Sequence, residues 1–239
     1  MKKLFIAFVL MITTSSSFAH YLWVDTAGKG TIGKAQEVKV HFGEYTYGVI
    51  EEVKGEAFNN VSKFKLWLIH PDGKKEELKT VAKEKFYLAS FTPEKKGIYT
   101  LALNNNEIGV IDYTQYDFGI FKTHYHATAK VNVGDVEKQT ETVNPDGIAI
   151  KELPANKGEL KLQVSYKGQP LAKNEVTIFI SDLWSKALET DGDGIVTLEL
   201  PWNTKYLVET TMKEEVPGTY QGKDYEFIWH CGTYCVNKG

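Results

Sequence analysis

Beyond residue 19 the chain has no apolar run approaching the roughly 20 residues that cross a bilayer, and no cysteine stands at that point to take a lipid. The mature chain is therefore expected to be soluble and to have no membrane span. It also has no excess of one charge. Twenty-eight Lys and Arg are set against 31 Asp and Glu, interspersed, for a formal net charge of −3. That gives neither a basic stripe for nucleic acid nor a polybasic patch for a lipid surface, so nucleic acid is not expected as a partner. No Gly-x-Ser-x-Gly elbow and no general acid or base constellation is present, which argues against a serine or cysteine hydrolase and leads to the expectation of a non-enzyme. Asp191-Gly192-Asp193-Gly194 suggests a calcium loop but lacks the later acidic ligands and closing Glu, and it reads as a turn.

Cysteine is scarce. Cys231 and Cys235 are the two thiols, four residues apart near the end of the chain. In an oxidising compartment two neighbouring cysteines are expected as a possible disulfide, Cys231 with Cys235. On an extended strand residues four apart lie about 13 Å apart, so the bridge requires a turn at Gly232-Thr233-Tyr234.

What the chain does have begins at its first residues. Lys2 and Lys3 precede an apolar run from Leu4 to Ile12, then a polar stretch and a small-x-small exit at Ser17-Phe18-Ala19. This is the layout of a secretory signal peptide over 1–19, implying export to the periplasm. Cleavage after Ala19 would make His20 the first residue, with an α-amine and an imidazole able to chelate one Cu(II) or Ni(II). About 220 residues then remain, which suits two domains.

The mature chain reads as strand after strand. Val38, Val40 and Phe42 alternate with Glu37, Lys39 and His41, the last on the polar face. Phe64 to Ile69 is a strand turned at His70-Pro71-Asp72-Gly73, with His70 expected in solvent at the tip. From Gly119 to Val133, Phe121, Thr123, Tyr125, Ala127, Ala129, Val131 and Val133 fall on one face and Lys122, His124, His126, Thr128 and Lys130 on the other. His124 and His126 thus share a face about 7 Å apart, where two imidazoles can converge on one ion. The stretch 136–158 is polar and turn-rich, with a short strand at Ile148 to Ile150, and reads as a connector. Strands expected at Glu159–Tyr166, Val176–Ile180, Ile195–Leu200 and Lys205–Thr211 form a small Greek-key module. In the last strand His230 falls opposite Tyr225, Phe227 and Trp229, a weaker ligand candidate than His124 or His126. The expected architecture is all-β, two immunoglobulin-like or transthyretin-like β-sandwich domains: 20–135, a linker 136–158, and 159–239.

Ala19-His20-Tyr21-Leu22-Trp23-Val24-Asp25, the Gly43-Glu44-Tyr45 loop, Leu66-Trp67-Leu68 with Pro71-Asp72-Gly73, and Gly97-Ile98-Tyr99-Thr100-Leu101 resemble the periplasmic uncharacterised-domain family that includes nickel-uptake accessory proteins. The second half, with Gly168-Gln169-Pro170-Leu171 and Thr190 to Gly194, is similar to the transthyretin-like or carboxypeptidase-regulatory-like module. The resemblance implies an exported protein that captures or delivers a divalent metal, nickel or copper, beside a membrane metal transporter, with His20 the position that carries over. His124 and His126 rest on the strand pattern instead. The leading expectation is a metal-binding protein with His20, His124 and His126 as ligands. A metal-free envelope interaction module is the first alternative, and an N-terminal-histidine copper oxidase, needing a second imidazole beside His20, is the other.

Overall fold

A computed structural model describes residues 20–136 and 143–237. The signal peptide expected over 1–19 lies outside the described residues. Nearly all regular structure is β, as the alternation of apolar and polar residues dictates, with a single four-residue α-helix at Glu56–Asn59 among the described residues. No helix among them is long and apolar enough to cross a membrane.

A ten-stranded sheet organises the molecule. Its main path runs Ser185–Glu189, Glu175–Phe179, Lys205–Glu214, Phe227–Asn237, Ile120–Val133, Gly97–Asn105, Lys65–Ile69 and Lys75–Glu77. Two smaller sheets pack on it. One is built from Tyr21–Thr26, Gln36–Glu44, Tyr87–Phe91 and Val81–Ala82, with Val49–Ile50 added, and the other from Ile148–Leu153, Glu159–Tyr166, Gln169–Pro170 and Ile195–Glu199. Each encloses its own core. Leu22, Val24, Val38, Val40 and Phe42 meet Tyr99, Leu101, Ala127, Ala129 and Val131 in the first. In the second, Ile148, Ile150, Leu162 and Val164 meet Val176, Ile178, Tyr206, Val208, Tyr234 and Val236. Two β-sandwiches are therefore present, and they share one sheet.

The seam between them is the pairing of Ile120–Val133 with the C-terminal strand Phe227–Asn237. These two strands are parallel and central, with His124 opposite His230 and Tyr125 opposite Cys231. Both of their faces are covered. On one, Tyr125 Oη donates to the His20 carbonyl and Thr233 Oγ1 to the Leu22 carbonyl, so the Tyr21–Thr26 strand lies there. On the other, Thr128 Oγ1 reaches the Ile150 carbonyl, and Lys130 Nζ pairs at 2.6 Å with Glu152, which also accepts from Tyr234 Oη. Double coverage is the usual condition of parallel pairs, whose faces are buried by crossing elements.

Several expectations change here. The stretch 136–158 is more than a connector: Ile148, Ala149 and Ile150 are each 1% exposed, and their strand closes the second core. Cys231 and Cys235 are both free and buried, and the possible disulfide is absent. The strand runs unbroken through Gly232, Thr233 and Tyr234, which holds the two thiols at extended spacing. Gly232 serves a different purpose, since a Cβ there would run into Ile148 Cγ2. His70 is packed edge-on against Tyr99 with ring centroids 5.5 Å apart, away from the solvated position expected for it. His41 also leaves solvent, stacking on Trp23 at 5.3 Å.

Candidate metal centre

The alternation along Ile120–Val133 sends Tyr125 into the first core and His124 and His126 to the opposite face. That face is a second interior. His126 is 4% exposed, and the ring is roofed by the Asn144 to Gly147 turn, because a Cβ on Gly147 would fall inside the imidazole. The same parity on the partner strand brings His230, 2% exposed, directly alongside. His126 Nε2 lies 3.0 Å from His230 Nδ1, with the rings near-parallel at 18° and centroids 5.3 Å apart. The His124 ring stands perpendicular to His230 at 5.1 Å, and its Nε2 is buried with no hydrogen-bond partner.

The outer nitrogens of the close pair have partners. His126 Nδ1 is 2.7 Å from Asn104 Oδ1. Asn104 and Asn144 exchange amide hydrogen bonds at 3.1 and 2.8 Å, and Asn144 Oδ1 also accepts from the Asp146 backbone N–H. His230 Nε2 lies 2.9 Å from Glu214 Oε2 and 3.3 Å from Tyr166 Oη, which donates to the same carboxylate oxygen. Lys167 completes this rim, 3.4 Å from Glu214.

Burial favours the neutral imidazoles, which are the metal-binding form. His124 is lowered to about 4 by burial first and then by the neighbouring His230 and Lys122 charges. His126 is lowered well below the ordinary value by burial, with His230 and His124 adding to it. His230 is lowered by burial, which outweighs the opposing pull of Glu214. For Glu214 burial pushes upward, yet the hydrogen bonds from His230 and Tyr166 and the Lys167 charge outweigh it, and the carboxyl stays below its usual range.

His20 is not part of this group. Its backbone carbonyl sits on Tyr125 Oη, on the far face of the strand that carries His124 and His126. Its ring packs 5.4 Å from Phe42, with Nε2 2.8 Å from Glu51 and Nδ1 3.3 Å from Glu44. The polar neighbours of its ring are thus carboxylates, whereas the copper-oxidase expectation asks for a second imidazole beside it. The expected triple of His20, His124 and His126 therefore divides, and His230 replaces His20 beside the other two. As they stand, no group of three or more His, Cys, Asp or Glu side chains among the described residues is arranged to hold a metal ion.

Residues 17–214 match the family described as Domain of unknown function (DUF4198). The chain belongs to this family. No curated protein matches it. Among solved structures, similarity is found to a DUF4785 family protein from Legionella pneumophila, at 11% identity and a TM-score of 0.30, covering 90% of this chain and 55% of that one. The D0-D1 domain of intimin is similar at 12% identity and a TM-score of 0.27, covering 88% and 96%. A Ca2+-stabilized adhesin that helps an Antarctic bacterium bind ice is similar at 9% identity and a TM-score of 0.25, covering 91% and 48%. The chain thus spans about half the length of the first and third of these.

Proposed function

We propose that this DUF4198 chain is an exported, periplasmic binding protein for a divalent transition metal, nickel first and copper second, accessory to uptake by a membrane metal transporter. The observation that supports it is the 3.0 Å approach of His126 Nε2 to His230 Nδ1 in a buried setting that favours neutral rings. Imidazole suits Ni(II) and Cu(II), and neutral ring nitrogens bind without first releasing a proton. His124 is the third donor, with a buried Nε2 that has no other partner to give up. His20 stands outside this reading, on the other face of the sheet, where its imidazole is paired with Glu51 and Glu44.

Calorimetric titration of the chain beginning at His20 with NiCl2 and CuCl2 tests this. One equivalent bound by the wild type, lost in a His126→Asn, His230→Asn double variant, is the expected result. Unchanged heats in that variant would remove the pair from the reading. A metal-free envelope interaction module is the second reading, favoured by the lack of any three-donor group among the described residues, and a wild type with no metal response would overturn the metal reading and leave this one in its place.

A further inference from the structure

The second sandwich carries an open cleft away from the imidazole pair. It lies at the far edge of the ten-stranded sheet, where Ser185–Glu189 is the terminal strand, three strands from Phe227–Asn237 in the order of the sheet. The end of Ile195–Glu199, which pairs with Glu159–Tyr166 in the smaller sheet, forms another part of its wall. The cleft has a volume of about 600 Å3 and is lined by Lys157, Trp184, Lys186 and Glu199, together with Leu200 and Pro201. Trp184 is half-buried and packs against the second core, with Trp202 edge-on at 5.3 Å and Tyr206 edge-on at 6.2 Å. Trp202 itself is 45% exposed. Both indoles sit on pinned loops. The Trp202 N–H donates to Tyr206 Oη, and that hydroxyl donates to the Trp202 carbonyl, each at 2.9 Å. Before Trp184, the Leu183 N–H donates to the Thr46 carbonyl at 3.2 Å, and Leu183 is held at a φ of 59°, a left-handed backbone that disfavours any side chain.

The charges in this cleft are arranged for a polar ligand. Lys186 stands opposite Ile178 in its strand pair, and Ile178 lies in the second core, so Lys186 is directed to the inner face of the sheet. It is nonetheless exposed, because that face opens into the cleft. Lys157 and Glu199 are exposed in the same lining. Two ammonium groups supply donors to an anion, one carboxylate accepts from hydroxyls, and the indole offers flat apolar surface to C–H groups. A sugar acid presents all three complements on one ring. A wholly apolar ligand would leave the charges without partners. An added peptide strand is opposed by the edge itself, since an inward-pointing charge on a short, five-residue edge strand is a device that blocks strand addition.

We infer that Trp184, with Trp202 beside it, is the stacking platform, and Lys157, Lys186 and Glu199 the polar contacts, of a binding site for an acidic saccharide. The site is independent of the metal reading and survives its failure. Titration of the labelled full chain with di-galacturonate, followed through the indole N–H signals in 1H–15N spectra, tests it. The expected result is a saturable shift of the Trp184 and Trp202 signals in the millimolar range, weakened about tenfold in a Lys157→Gln, Lys186→Gln double variant. Both of those positions are exposed, so the rest of the spectrum should stay in place and show that the variant is folded. The dimethyl ester of the same disaccharide keeps the sugar rings and loses the charge, and it should bind the wild type as weakly as the acid binds the double variant. Trp202→Ala, at an exposed position, should also lower the affinity, whereas Trp184→Ala would disturb the core. An unmoved Trp184 signal, equal affinity for acid and ester, or unchanged affinity in the double variant overturns the inference. Self-association of Lys186→Gln in a protein whose wild type ignores the saccharide overturns it as well and assigns Lys186 to protection of the sheet edge.

Discussion

His126 and His230 are 104 residues apart in sequence, yet they place two ring nitrogens within 3.0 Å of each other. The parallel pairing of their strands makes this possible, and His20 lies across the same strand on the opposite face. Replacing either member of the pair should therefore lower Ni(II) affinity at least tenfold. His20→Ala should leave that affinity within about twofold, since a ligand on the other side of the sheet contributes nothing to this ion. Parallel titrations of His126→Ala, His230→Ala and His20→Ala check the ordering. His70 is unsuitable as an inert control for stability, because it packs against Tyr99.

Gly147 is where the second half of the chain closes over His126. Its Cβ would occupy the space of the imidazole, so Gly147→Ala should force the Asn144 to Gly147 turn outward and cost about 1–3 kcal/mol, the usual range for overpacking. Urea unfolding measures the loss. The same variant should weaken metal binding, because Asn144 belongs to the amide pair that holds His126.

Both thiols should be silent in the native state. Burial pushes the Cys235 thiol up to about 12 and the Cys231 thiol higher still, so almost no thiolate exists near neutrality. A thiol reagent should find no reactive group in the folded chain and two after unfolding. An intact mass two hydrogens below that of the reduced chain would show a bridge that the straight strand does not permit.

Glu209 gives a pH dependence with a definite sign. Burial first, and the nearby Glu44 charge second, push its carboxyl up to about 8. An acid raised on folding binds its proton more tightly in the native state, so stability falls as pH rises from the unfolded value near 4.5 through 8. Glu209→Gln should remove that slope, leaving the variant more stable than wild type at pH 8 by a few kcal/mol and little different at pH 4.5. Denaturant midpoints at the two pH values decide it. A parallel loss of stability toward high pH in both proteins would show that another group is responsible.

Much of the architecture was legible because alternation is a local signal. Period two alone places Tyr125, Ala127, Ala129 and Val131 on the core face, and they lie in or against the first core. The burial of the other face was not legible. Its cover comes from Ile148–Leu153, and nothing within Ile120–Val133 records what a later strand will do. The position of His230 is hidden from the sequence for the same reason. Within its own strand it only alternates with aromatic residues, whereas its importance comes from a register with His124 that the parallel pairing creates. A cue was available in its parity with Tyr234 and Val236, which line the second core. Glycine permits the turn that a Cys231–Cys235 bridge would require, but at Gly232 the missing side chain instead makes room for Ile148.

The most direct test is electron paramagnetic resonance of the chain loaded with one equivalent of Cu(II), with pulsed detection of the coordinated imidazoles. The account predicts a tetragonal signal coupled to at least two histidine rings, reduced by one ring in His230→Asn and unchanged in His20→Ala. A signal that loses its imidazole coupling in His20→Ala but keeps it in His230→Asn would contradict the account and move the metal to the other face of the sheet.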